Sequence, residues 1–239
     1  LNAAFVHVGF EKDAFLHYHD LGPNLPSMLK FIKLVSAGKI KDYNLKNFQF
    51  EKEIDKDGII TDVLNTNQSL LVQVVKEPIS TKGPRISSEL SLAGRYIVLV
   101  PFSDRISISQ KIEEKEEKDR LKRLVQSIRP KGFGVIVRTV AEGKKVAELD
   151  KDLQTLLNRW DAMCKKIPTA HHPSKILGEL NRASSILRDV FNDTFSGIHI
   201  DDEELYQETK DYLQEIAPSK QSIVKYYQSK DTPIFEKFN

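Results

Sequence analysis

The stretch Gly132-Phe-Gly-Val-Ile-Val-Arg-Thr-Val-Ala-Glu-Gly-Lys-Lys145 decides how the rest of the chain is read. Val135, Ile136 and Val137 form a short β-branched run behind two glycines, the pattern of a buried strand, and the apolar spacing turns helical beyond Gly143. Arg138 and Thr139 therefore fall where a strand gives way to a loop. In α/β layers the carboxyl ends of strands are where ligands tend to be held. A planar fork of donors beside a hydroxyl suits a small anion there, a phosphate best of all. An arginine paired with a nearby carboxylate for structural reasons fits the same local chemistry, so both readings stand at this point.

Outward from this stretch the periodicity is clear. Val146, Leu149, Leu153, Leu156, Leu157, Trp160, Met163 and Cys164 follow helical spacing over residues 146–166, so this helix should pack across the sheet carrying Arg138, with Trp160 in the core. A second helix is predicted over residues 114–128, its acidic start and basic finish suiting the helix dipole. Before it, Ile86–Leu92 and Tyr96–Val100 read as strands around Ala93-Gly94-Arg95. Gly94 permits close backbone approach and Val98 lies in the heart of its run.

Further upstream, Ser69–Lys76 is a predicted strand, followed by the loop Glu77-Pro-Ile-Ser-Thr-Lys-Gly-Pro-Arg85. Lys82 and Arg85 on that loop suit either phosphate contact or simple solvation. Residues 24–67 read as a long excursion: Met28, Leu29, Phe31, Ile32 and Leu34 make one or two helical turns, and residues 39–56 are polar enough to predict a partly mobile surface loop. In the first segment Ala4, Val6 and Val8 alternate with Ala3, Phe5 and His7, and a short strand around Ala14-Phe-Leu16 follows a polar turn. Phe5 and Phe15 can then stand side by side on one face. If that face is buried they are core; if exposed, bases can stack on them.

The last quarter alternates elements: a helix with Ile186, Leu187, Val190 and Phe191, the strand Gly197–Ile200, a helix over 202–216 and a strand at 222–227, an incomplete α/β unit. Asp201, Asp202, Glu203 and Glu204 bunch at a helix start, where the dipole favours acids whether or not a cation binds, so they are assigned to capping. His171 and His172 are adjacent in a Pro-flanked linker and lack the i, i+4 spacing of a helical metal pair.

Composition narrows the class. The 239 residues carry a formal charge of +2, so a nucleic-acid surface must come from local clustering. The one cysteine, Cys164, excludes an internal disulfide framework and a Cys-rich zinc site. With no signal peptide and no apolar run long enough to span a bilayer, a cytoplasmic protein is expected. The chain starts at Leu1 without Met, inside an apolar alternation, and stops abruptly at Phe238-Asn239, which suggests a piece of a longer protein whose preceding strand is absent.

Several motifs together resemble the amino-terminal half of the catalytic region of the ribonuclease E/G family of bacterial endoribonucleases. They are Ala3-Ala-Phe-Val, Ala14-Phe-Leu16, Lys76–Arg85, Ser88-Glu-Leu-Ser-Leu-Ala-Gly-Arg-Tyr-Ile-Val-Leu99, Gly134-Val-Ile-Val-Arg-Thr139 and Ile200-Asp-Asp202. Each is weak alone; the set is specific. The resemblance implies a mixed α+β fold in three parts: an OB-fold β-barrel RNA-binding module over residues 1–88, lacking its first strand and carrying the 24–67 insertion; an α/β 5′-sensor domain over 89–183; and a partial RNase H-like α/β segment over 184–239. It implies that Phe5, Phe15 and Lys82 contact single-stranded RNA, and that Arg138, Thr139, Gly94 and Val98 hold a 5′-monophosphate. His7 departs from the family, which commonly has Asp there.

The same resemblance implies an endoribonuclease acting on single-stranded, preferably 5′-monophosphorylated RNA in rRNA and tRNA processing and mRNA decay, homo-oligomeric as the full-length protein. Its Mg2+ would be held outside this chain, so the fragment is expected to bind RNA and not to cut it. The competing expectation is a non-enzymatic RNA-binding or adaptor protein whose OB-fold carries the whole function.

Overall fold

The computed structural model describes residues 2–178, 181–192, 194–228 and 231–238; Leu1 and Asn239, the chain ends noted above, lie outside the described residues. The chain divides into two compact units, Leu1–Leu177 and Gly178–Asn239. The architecture is mixed α and β, as expected, with several small sheets.

The first unit opens with strands β1 (Ala3–Val6) and β2 (Ala14–His17), helix α1 (Leu25–Ser36), the single turn α2 (Ile60–Val63), and strands β3 (Gln73–Lys76) and β4 (Arg85–Ser87). These strands form a sheet in the order β1-β2-β4-β3, with β1 antiparallel to β2, β2 parallel to β4 and β3 antiparallel to β4. Only Phe15 and Arg85 register across the β2–β4 seam. The sheet is open, with no closed barrel among the described residues: β1 and β3 stand at its two ends.

The predicted strands of this region are cut short for a visible reason. Where a strand was expected over Ile86–Leu92, the backbone leaves the ladder after Ser87. The Ser87 hydroxyl donates to the Asp20 carbonyl at 2.8 Å, the Ser88 amide donates to the same carbonyl at 2.9 Å, and the Ser88 hydroxyl donates to the Leu21 carbonyl. Serine side chains compete with ladder bonds in this way.

Strands β5 (Leu92–Ala93), β6 (Ile97–Pro101), β7 (Ile106–Ile108) and β8 (Phe133–Val137) form the second sheet, in the order β5-β6-β8-β7. Helix α3 (Lys115–Ile128) and helix α4 (Val146–Lys166) cover its inner face. Ile97, Leu99, Phe133, Val135 and Val137 point inward and are buried. Val98, Val100 and Ile136 alternate outward, and Ile136 is exposed. Helix α4 begins and ends where its periodicity predicts. The Lys145 amide donates to Glu148 at 3.0 Å at its start, and Leu149, Leu153, Leu156, Trp160, Met163 and Cys164 line its buried stripe. Burial pushes the Cys164 thiol up, leaving it a packing residue with little thiolate character.

The 24–67 excursion corrects the expectation of a loose surface loop. Leu25, Met28, Phe31 and Val35 give α1 a buried stripe. Past it, the chain is irregular but brings Tyr43 and Leu45 into the core. The Trp160 indole donates to the Tyr43 carbonyl at 2.9 Å and stacks on Phe31 with ring centres 5.7 Å apart. Phe102 and Phe133 close the cluster at 5.8 and 5.9 Å from Trp160. Gly132, with φ of +85°, is required here: a Cβ would sit 2.6 Å from that of Leu45.

In the second unit, helix α5 (Arg182–Val190), strand β9 (Ile198–Ile200), helix α6 (Glu203–Ile216), strand β10 (Val224–Tyr226) and helix α7 (Ile234–Phe238) follow in order. Strands β9 and β10 pair in parallel across α6, over a small core of Leu187, Phe191, Ile200, Leu213 and Val224. Asp202 caps α6, accepting from the Leu205 amide at 2.7 Å, the role assigned to it above. The predicted strand over 222–227 begins only at Val224 because residues 218–223 form a 3-10 turn behind Pro218.

Candidate nucleic-acid interface

The register of the first hairpin places Phe5 directly opposite Phe15. Ala14 and Leu16 turn inward and are fully buried, so the alternation forces Phe15 outward. Phe5 is 71% exposed, and the two rings meet edge to face with centres 5.8 Å apart. Beside them lies a groove of about 540 Å3 lined by Lys12, Lys76, Lys82 and Arg85 as well as the rings.

Lys82 reaches this groove through a tight turn: Ile79 and Lys82 exchange backbone hydrogen bonds of 3.2 and 3.0 Å. Gly83 lets the turn lie flat against β2, since a Cβ there would sit 2.1 Å from the Asp13 carbonyl oxygen. Arg85 forms a two-pronged ion pair with Asp20 at 3.0 and 2.9 Å. Among the described residues no ion pair engages Lys12, Lys76 or Lys82. The groove thus combines the exposed Phe5 and half-buried Phe15 with three lysines that form no ion pair and with two acids, Asp13 and Glu77.

Gly94 and Arg138 are in contact at one end of the second sheet, whereas Val98 lies within β6 and Thr139 opens the turn after β8. Val98 registers with Ala93 on one side and Ile136 on the other. The Arg138 amide donates to the Tyr96 carbonyl at 2.8 Å, and its Nη1 donates to the Gly94 carbonyl at 2.9 Å. The Thr139 hydroxyl lies 2.8 Å from that of Ser109. Arg138 lines neither the groove above nor the cleft of about 400 Å3 beside Leu29, Lys33 and His172.

Asp152 organises this corner. Its carboxylate accepts from three successive amides, Arg95 at 3.0 Å, Tyr96 at 2.8 Å and Ile97 at 3.0 Å. Burial raises its pKa, while those amides and the charge of Arg138 pull the other way. Any side chain at position 94 would collide with it, a Cβ falling 2.6 Å from Oδ2, which explains the glycine. The guanidinium braces the hairpin and feels a buried acid, in line with the structural reading of Arg138; the anion reading rests on its place at the end of β8. Around it the rim is cationic, with Arg95 and Lys144 each 5.5 Å from the Tyr96 ring. Sequence reasoning passed over Asp152; its one signal is an acid set between Leu149 and Leu153 on an otherwise apolar stripe.

The turn after Thr139 is held from the other side by Glu117. This carboxylate pairs with Arg120 at 2.6 Å and accepts from the Gly143 amide at 2.8 Å, while Arg120 donates to the Lys144 carbonyl at 3.0 Å. The hydrogen bond from Arg120 is the main reason its pKa is lowered to about 2. A depressed carboxylate adds stability above its ordinary pKa near 4.5 and loses it as the pH falls toward about 2. Acid titration of Glu117→Gln, followed by circular dichroism, is expected to show a shallower loss of stability in that window than the parent; an unchanged acid limb would rule this pairing out as a source of it.

Four matches to known proteins say what the chain is similar to. The Ribonuclease E/G family profile matches residues 91–239. Ribonuclease G of Escherichia coli strain K12 is 30% identical over 239 residues, covering 100% of this chain and 45% of its own length. Ribonuclease G of Haemophilus influenzae is 31% identical over 236 residues, covering 99% of this chain and 44% of its own length. Ribonuclease E of Nostoc sp. is 31% identical over 241 residues, covering 100% of this chain and 31% of its own length. The chain thus spans under half the length of each of these relatives.

Proposed function

We propose, from the premise that this chain belongs to the ribonuclease E/G family, that it is the RNA-grasping and 5′-end-reading portion of an endoribonuclease. The reading assigns the first sheet to an OB-type RNA-binding module, with Phe5 and Phe15 stacking successive bases and Lys82 neutralising the phosphates between them. It assigns Arg138, Thr139, Gly94 and Val98 to a 5′-monophosphate seat. Anchoring the end of a strand raises the effective concentration of the rest at a distant cutting centre. In the whole enzyme the substrates would be rRNA and tRNA precursors and decaying mRNA, cut by a homo-oligomer in the cytoplasm.

The observation that carries this is the Phe5–Phe15 pair, Phe5 exposed and Phe15 half-buried, beside three lysines that form no ion pair among the described residues. A large ring left in solvent at Phe5 adds little to the core, and lysines without an ion pair suit a polyanion. The family's magnesium chemistry does not fit the residues present. Among the described residues no three acid, histidine or cysteine side chains converge, and Asp202 is committed to a helix cap. No cleavage step is therefore assigned to this chain. No helix among the described residues is long and apolar enough to cross a membrane.

Binding of a 5′-hydroxyl single strand isolates the groove from the phosphate seat. Phe5→Ala is expected to weaken it by roughly 1–3 kcal/mol. The affinity of the parent should fall as salt rises. Fluorescence anisotropy at two ionic strengths checks both. Unchanged affinity in Phe5→Ala would reject the groove as the RNA path.

A further inference from the structure

The outward alternation that exposes Phe15 does not end there. His17 follows two residues later on the same face of β2, with Leu16 buried between them. Its ring centre is 6.3 Å from that of Phe15. The chain then enters a 3-10 turn over Tyr18–Asp20. Tyr18 is buried in that turn, donating to the Asp55 carbonyl at 2.5 Å, so its neighbour His19 is forced outward. The His19 ring stands 5.0 Å from His17, and the His19 amide donates to His17 Nδ1 at 3.2 Å. Phe5, Phe15, His17 and His19 are thus one continuous row of rings along the outer face of the sheet.

We infer that this row, and not the phenylalanine pair alone, is a stacking platform for consecutive nucleobases of a single strand, with His17 and His19 forming its far half. The inference rests on reading the Phe5–Phe15 face as an RNA path. Three features favour a nucleic-acid strand as the occupant. Aromatic rings bind any base through its π-face, and imidazole is among the side chains that do so. The bond from the His19 amide to Nδ1 orients the His17 ring, which reduces the ordering that binding must impose on it. Asp20, next to His19 in the chain, is already matched by Arg85, so the far half brings no uncompensated charge from that acid.

The test uses the whole chain and two 5′-hydroxyl oligouridylates, a trinucleotide and an octanucleotide, followed by fluorescence anisotropy. Phe5→Ala should weaken both. The double variant His17→Ala/His19→Ala should weaken the octanucleotide by roughly tenfold and leave the trinucleotide nearly unchanged, because only the longer strand reaches the far half. His17→Phe/His19→Phe, which keeps the rings and drops the imidazole nitrogens, should restore the octanucleotide. If the double alanine variant binds the octanucleotide like the parent while Phe5→Ala is weakened, the row stops at Phe15 and the inference falls. Equal losses at both lengths without rescue by phenylalanine would assign the histidines to folding and overturn it as well. Should Phe5→Ala also bind normally, it is the underlying RNA path that fails.

Discussion

Trp160→Ala is expected to cost the first unit about 3–5 kcal/mol, a large fraction of the stability of a domain of this size. The indole touches three separate parts of the chain: Phe31 on α1, Phe102 after β6, and Phe133 at the start of β8. Its N–H also pins the Tyr43 carbonyl. Truncation removes the rings' common neighbour and leaves a cavity that three aromatic side chains, held on different elements, cannot close together. Urea unfolding followed by circular dichroism gives the loss. Trp160→Phe, which keeps most of the packing but not the indole donor, should recover most of it. The variant should also become open to proteases between residues 37 and 59, because that segment has little regular structure and is held by side-chain docking. A loss under about 1 kcal/mol with no new cleavage would mean that the segment is held elsewhere.

That docking is also where the sequence was least legible. Tyr43, Leu45, Phe48 and Phe50 lie among lysines and acids with no helical or strand period, so a polar surface loop is what composition suggests. Trp160, which holds the Tyr43 carbonyl, is more than a hundred residues away and gives no local signal. Periodicity worked where one element buries one face: α4 has the bounds that its apolar spacing predicts, and the opposed positions of Phe5 and Phe15 follow from alternation on two strands joined by a short turn. It failed where a side chain ends an element, as Ser87 and Ser88 do by turning to the carbonyls at Asp20 and Leu21.

The corner around Arg138 divides the same way. That Arg138 and Thr139 close a strand is legible from three β-branched residues. That Gly94 and Val98 share a pocket with them is implied only by the family's motifs; the structure shows the Arg138–Gly94 contact and pairs Val98 with Ala93 and Ile136. Asp152 could not be found from spacing, because its partners are three backbone amides 55–57 residues earlier in the chain. A carboxylate committed to amides is silent in a search for charge pairs.

Arg138→Ala is expected to lower affinity for a 5′-monophosphorylated single strand by about 10- to 100-fold, the worth of one or two charge-assisted hydrogen bonds, and to leave the 5′-hydroxyl strand nearly unchanged. A terminal monophosphate carries about −1.5 to −2 charge and three acceptor oxygens, whereas a hydroxyl end offers nothing that needs a cation. Nη1 of the guanidinium donates to the Gly94 carbonyl and so braces the hairpin. The fork geometry therefore matters as much as the charge. Arg138→Lys should not restore the discrimination, since a single ammonium cannot both brace the hairpin and meet the phosphate. The structural alternative makes a different prediction. If Arg138 serves only to hold the Gly94 turn above Asp152, alanine there should lower thermal stability and weaken both strands alike through the disturbed sheet. Measuring the two affinities and the melting temperature of the same variant separates the cases: selective loss at the monophosphate with a small stability change supports the seat, and parallel losses reject it.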